Sequence, residues 1–130
     1  GIGKGALNYA RTTFTGTAQS TGTLGHAFVS KLIGYSAAIN NPNVVRVGFD
    51  VGYKRALEGL ATIAHKYGPR PDVLLGYRDG SMKAIEVASR TDKIATLFSR
   101  NMNKIKLEGI AGSVSVNQWA TRIDKVFGGF

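Results

Sequence analysis

Leu24, Phe28, Leu32 and Ile39, with Val29 and Ile33 beside them, recur at helical spacing over residues 23–39, a pattern that predicts an amphipathic helix. Asn40-Asn41-Pro42 stops it, since proline and the residue before it both resist helical geometry. The period then changes. Over residues 44–53, Val45, Val47, Phe49 and Val51 alternate with Arg46, Gly48, Asp50 and Gly52, as in a strand buried on one face. Residues 56–67 read as a helix or a long excursion that ends at Gly68-Pro69. Two short apolar runs follow, Val73-Leu74-Leu75 and Ala84-Ile85 with Val87-Ala88, separated by Tyr77-Arg78-Asp79-Gly80-Ser81. An Asp-Gly pair between such runs predicts a hairpin turn. Ile94, Leu97, Phe98, Met102 and Ile105 mark a second helix over 94–107, with Thr91 or Asp92 as its N-cap and Lys93, Arg100, Asn101, Lys104 and Lys106 on its polar face. A last strand is expected over 109–116 and a terminal helix over 118–127, carrying Trp119, Ile123, Val126 and Phe127.

The succession helix, strand, hairpin, helix, strand, helix is α/β, and it suits a small mixed β-sheet with a central hairpin flanked by helices. Residues 1–22 are rich in Gly, Thr and Ser and read as a flexible lead-in with at most a short helix over 6–11. A single domain is therefore expected over 23–130, long enough for one hydrophobic core. Gly1-Ile2-Gly3-Lys4 does not begin a signal peptide, and a start without Met is what a piece of a longer protein, or one trimmed of a tag, would show. No run approaches the roughly 18 consecutive apolar residues that a membrane helix needs. The chain has no cysteine, which excludes disulfides and thiolate metal sites.

Charge adds a partner class. Lys and Arg total 17 against 8 Asp and Glu, a formal charge of +9, the footprint expected for contacts to phosphate. The charges are interleaved with apolar and aromatic residues, which points to a folded basic face.

Two acids stand out against this background. Asp72 and Glu86 flank or lie within the apolar strands of the hairpin, where burying a carboxylate is costly without compensation. The hairpin reading pairs Asp72 roughly with Ser89 and brings Asp72 and Glu86 close enough to share a divalent cation. Carboxylate oxygens completed by water and phosphate suit Mg²⁺ or Mn²⁺, with Zn²⁺ as a further option. Taken singly, Asp72 caps the turn after Pro71 and Glu86 is a solvated strand residue; both readings stand open. Asp50, on the polar face of the preceding strand, is the candidate third ligand, with Glu58 as the alternative. His26 is read first as a packing residue at a helix start and second as a metal or phosphate contact; His65 is read as a solvated loop residue.

The string Arg70-Pro71-Asp72-Val73, followed after the turn by Ile85-Glu86-Val87, resembles the core of the PD-(D/E)xK nuclease superfamily. The resemblance implies a restriction-endonuclease-like fold and metal-dependent hydrolysis of phosphodiester bonds, with Asp72 and Glu86 as metal ligands. Ala88 stands where that family has its catalytic Lys. Either another cation has taken over, Lys93, Arg90 and Lys83 being nearest in sequence, or Ala88 is an engineered replacement of Lys. Within the superfamily the chain resembles the C-terminal toxin domains of bacterial polymorphic and contact-dependent growth inhibition effectors. That resemblance rests on the Gly25-His26 helix, the Asn41-Pro42-Asn43-Val44 stop, the Pro71-Asp72 hairpin, and Glu86-Val87-Ala88-Ser89 followed by Lys93 and Arg100-Asn101. It implies a secreted or surface-delivered effector fragment that cleaves DNA or tRNA in a target-cell cytoplasm and is held in check by an acidic immunity protein, without membrane insertion by this domain. Arg70, Lys83, Ser89, Arg90, Arg100 and Lys104 are then the candidate nucleic-acid contacts. A Holliday-junction-resolvase-like endonuclease and a non-catalytic nucleic-acid-binding domain on the same fold are the alternatives.

Overall fold

The computed structural model describes residues 2–19, 24–89 and 91–126. They form α1 (Ile2–Arg11), β1 (Thr13–Gly16), α2 (Leu24–Asn40), β2 (Val44–Phe49), α3 (Tyr53–Ala56), β3 (Val73–Tyr77), β4 (Met82–Val87), α4 (Ile94–Glu108), β5 (Gly112–Asn117) and α5 (Trp119–Val126). The fold is mixed α/β. Its five strands run in the order β1-β2-β3-β4-β5; β2, β3 and β4 form an antiparallel meander, β1 joins β2 in parallel and β5 joins β4 in parallel. No helix among the described residues is long and apolar enough to cross a membrane.

The hairpin forms where the Asp-Gly pair stands. Asp79 Oδ1 accepts hydrogen bonds from the Ser81 N–H and Oγ, and Gly80 takes φ +88°, a left-handed conformation that glycine adopts without strain. Leu75 faces Lys83 and Val73 faces Ile85. This register carries Asp72 to the level of Glu86, a correction to the expected pairing with Ser89, because the turn pivots on Asp79 itself. The two acids are nearer than the sequence implied.

One face of the sheet packs Leu74, Met82 and Ala84 against Tyr53, Ala56, Leu57 and Ile105. The other packs Val47, Phe49, Val73, Leu75 and Ile85 against Ala38 and Ile33 of α2. Gly34 sets how closely α2 approaches: a Cβ there would lie 2.4 Å from the Phe49 ring. The helix therefore buries Val29, Gly34 and Ala38 and leaves Phe28, Leu32 and Ile39 outside, which corrects the face assigned from periodicity.

One further segment differs from expectation, and a reading left open for another is resolved. Residues 2–16, read as part of a lead-in, fold into α1 and β1, with Thr13 to Gly16 aligned on Arg46 to Phe49 of β2; residues 20–22 lie outside the described residues. Residues 57–67 form the long excursion, four turn residues and then irregular chain after the short α3. A polar clip replaces helical bonds there. Glu108 accepts hydrogen bonds from the backbone N–H groups of Ala64 and His65, both 2.8 Å, and from Lys104 Nζ at 3.2 Å. Lys104 Nζ also donates to the carbonyls of His65 and Tyr67 at 2.7 and 2.8 Å. Lys104 is buried, so it anchors the loop and is removed from the nucleic-acid contacts. His65 likewise meets Glu108 through Nδ1 at 2.9 Å.

Burial opposes ionisation of Glu108, but the His65, Lys104 and Ala64 donors outweigh it and lower its pKa to about 2. A depressed carboxyl pKa contributes stability above the unfolded value and loses it as pH falls through the folded one. Glu108→Gln is therefore expected to lower the melting temperature at pH 7 and to accelerate amide exchange at Ala64 and His65. The gap between variant and parent should close as the pH is taken from about 4.5 towards 2. A gap independent of pH would contradict this account.

Candidate active site

The end of β2, the start of β3 and the end of β4 meet at one end of the three central strands, where α3 and α4 follow. Asp50 leaves β2 with φ +49°, and its N–H donates to the Asp72 carbonyl at 3.3 Å. That link keeps the β2 and β3 ends together where the ladder stops. Asp72 is 9% exposed and Glu86 1%. The Asp72 N–H donates to Glu86 Oε1 at 3.3 Å, and Asp72 Oδ2 accepts the Val87 N–H at 2.7 Å, so each acid is tied to the other's strand.

The remaining oxygens have side-chain partners. Glu86 Oε2 accepts three bonds: Arg100 Nε at 3.0 Å, Arg100 Nη2 at 2.7 Å and Asn101 Nδ2 at 2.7 Å. Tyr53 Oη donates to Asn101 Oδ1 at 2.8 Å, while Asn101 Nδ2 also reaches the Leu97 carbonyl at 3.0 Å. The amide is thereby fixed in one orientation. His26 Nε2 lies 3.1 Å from Asp72 Oδ1, and its Nδ1 lies 3.3 Å from the Gln19 carbonyl.

These contacts set the ionisation. Burial pushes the Glu86 carboxyl up; hydrogen bonds from Arg100 and Asn101 pull it down, and the Asp72 charge pushes it up again, the net direction being upward. The hydrogen bond to Asp72 raises the His26 pKa against the opposing effect of burial. An acceptor faces each ring nitrogen, which favours the imidazolium. Arg100, Asn101, His26 and the Val87 N–H thus supply the compensation that buried carboxylates require.

Among the described residues, no group of three or more His, Cys, Asp or Glu is arranged to hold a metal ion. Two carboxylate oxygens nonetheless keep unused lone pairs: Glu86 Oε1, with one long backbone bond, and Asp72 Oδ1, beside His26. Carboxylate oxygens are the hard donors that Mg²⁺ or Mn²⁺ takes, one or two at a time, with water and phosphate completing the shell. Asp50 stands at the site's rim, its Oδ2 3.1 Å from Arg70 Nη2 in an ion pair.

Ala88 follows Glu86 by two residues and is 2% exposed, its N–H donating to the Asn117 carbonyl at 2.9 Å. Ser89 donates its N–H to Asp92 Oδ2 at 2.9 Å and closes the turn into α4. Lys93 is an exposed N-cap residue of α4. Lys83 lies three residues before Glu86 in β4, level with Leu75 and towards the hairpin turn. Arg90 lies outside the described residues. The cation brought to Glu86 is therefore Arg100, with half of its side chain exposed. Sequence reasoning missed Tyr53 and had Asn101 only as a residue of the polar face of α4; nothing in their local pattern marks them as the pair that orients Glu86. The chain matches no protein-family model, no curated protein and no solved structure.

Proposed function

We propose that this chain is a metal-dependent nuclease domain of the PD-(D/E)xK type that hydrolyses phosphodiester bonds of DNA or tRNA. One observation carries the reading: Asp72 and Glu86 lie buried at the same level of adjacent antiparallel strands, each tied to the other's strand by a backbone N–H. The succession α2, β2, α3, β3, β4, α4, β5 supports the reading in so far as it is a mixed α/β order with the hairpin at its centre. The +9 charge supports a nucleic-acid substrate.

Asp72 Oδ1 and Glu86 Oε1 would hold Mg²⁺ or Mn²⁺, which when bound lowers the pKa of a water and offsets charge on the scissile phosphate. The rest of the work falls to the chain. The Val87 N–H, Arg100 and Asn101 fix the carboxylates before substrate arrives, so little reorganisation is needed. Arg100 uses Nε and Nη2 on Glu86 and retains Nη1 for a phosphate oxygen, the electrostatic role that Ala88 cannot fill. The setting we propose is a delivered bacterial toxin domain acting in a target-cell cytoplasm and checked by an acidic immunity protein.

A second reading, a nucleic-acid-binding domain without turnover, is favoured by the neutralisation of both acids by Arg100 and His26 and by alanine at position 88. Incubating this chain and its Ala88→Lys variant with plasmid DNA and total tRNA, in Mg²⁺, Mn²⁺ and EDTA, separates the two. Cleavage in metal and none in EDTA is expected from at least one protein. Folded proteins that bind both substrates but degrade neither would leave only the second reading.

A further inference from the structure

The outward face of α2 has no use in the site described above. Phe28, Leu32, Tyr35 and Ile39 succeed one another at helical spacing and are all exposed, Phe28 by 58% and Leu32 by 55%. Scattered exposed apolar residues are ordinary, but a continuous stripe is not. At its C-terminal end the stripe meets α1, where Asn8 Nδ2 donates to the Ile39 carbonyl at 2.9 Å and Tyr9 stacks on Tyr35 with ring centroids 6.2 Å apart. Between the two helices lies an open groove of about 1060 Å³, bordered by Lys4, Leu7, Tyr9, Arg11, Ile39 and Asn40.

Charge identifies what fits. The first 49 residues contain four cations, Lys4, Arg11, Lys31 and Arg46, and no Asp or Glu. Lys31 is exposed within the stripe, and Lys4 and Arg11 are exposed at the groove. We propose that the α1/α2 face docks an acidic amphipathic segment of a partner protein, its apolar side chains on Phe28, Leu32 and the groove and its carboxylates against Lys4, Arg11 and Lys31. Two features favour protein over other polyanions. Duplex nucleic acid offers nothing to cover a run of four large apolar side chains. A bilayer's hydrocarbon would leave the exposed Asn40 amide at the groove without a partner, whereas a peptide backbone and its carboxylates can hydrogen-bond to it.

An unbiased selection tests this. A library of random 16-residue peptides is selected on the whole chain and, in parallel, on Phe28→Glu/Leu32→Glu. Both positions are exposed, so the variant should retain the parent's melting temperature, and Leu7→Glu in the groove provides a second, independent lesion. Peptides enriched on the parent are expected to be net acidic, to carry apolar residues at i, i+3 or i+4, and i+7, and to bind each variant at least tenfold more weakly. Their amide chemical-shift changes should fall on α1 and α2. Neutral or basic winners, or winners that bind the variants equally, would overturn the proposal. So would amide shifts in α1 and α2 produced by anionic phosphatidylglycerol vesicles or duplex DNA when no peptide is selected there.

Discussion

Arg100→Met is expected to destabilise the protein by about 2–3 kcal/mol at pH 7, just below the range of roughly 3–5 kcal/mol for breaking a fully buried ion pair. The loss near pH 4 should be far smaller. Glu86 is almost completely buried, and Arg100 reaches its Oε2 through both Nε and Nη2. Methionine keeps the aliphatic stem but supplies neither the charge nor a donor. Solvent screening on the exposed side of Arg100 and the surviving Asn101 bond keep the cost below that of a fully enclosed pair. The sign of the pH effect follows from Glu86. Its folded pKa lies above the ordinary glutamate value, chiefly through burial. The associated stability is thus fully present below that value and is lost as pH rises through the folded pKa. Removing the guanidinium raises the folded pKa further, so parent and variant diverge as Glu86 ionises. Urea unfolding midpoints at pH 4 and pH 7 measure the divergence. The double variant Glu86→Gln/Arg100→Met should recover most of the loss. An equal loss at both pH values would show that Arg100 acts through packing alone.

The strands were legible where local chemistry dictates them, and the helix faces were not. Asp79-Gly80 placed the turn, and the turn placed Glu86 beside Asp72, with the register set by a side-chain bond from Asp79 that periodicity does not reveal. In α4, hydropathy turned Ile94 and Phe98 inward and Asn101 and Lys104 outward. The structure does the reverse: Asn101 and Lys104 are buried while Ile94 and Phe98 are largely exposed. The helix is oriented by Glu86, which needs Arg100 and Asn101, and by loop carbonyls that need Lys104. Those partners lie 14 to 39 residues away, beyond any window in which polarity is read. Helix α2 errs for the complementary reason. Its inward face is small, Gly34 and Ala38 beneath the Phe49 ring, so the larger apolar residues that dominate a periodicity count point outward. Strand β1 was missed because Thr13-Phe14-Thr15-Gly16 has one large apolar residue, and only its pairing with β2 makes it a strand.

Glu86→Gln is expected to separate stability from activity. In whichever of the parent and Ala88→Lys proteins cleaves, the substitution should reduce metal-dependent cleavage about a thousandfold, equivalent to roughly 4 kcal/mol of transition-state stabilisation. Glutamine halves the hard carboxylate oxygens available to a cation and removes the negative charge. Its effect on folding should be neutral or favourable. The upward shift of the Glu86 pKa means that ionisation at pH 7 is resisted by the fold, and the amide oxygen can still accept from Arg100 and Asn101. Asp72→Asn should behave differently. It also removes cleavage, but it forfeits the charged partner of His26 at 3.1 Å, so it should lower the melting temperature as well. Single-turnover cleavage in Mg²⁺, read beside thermal melts of the same preparations, tests both substitutions. A Glu86→Gln protein that keeps more than a tenth of the cleavage rate would remove Glu86 from the metal-holding pair. One that melts far below its parent would show that the charge on Glu86, with Arg100 as its counter-ion, holds the fold together.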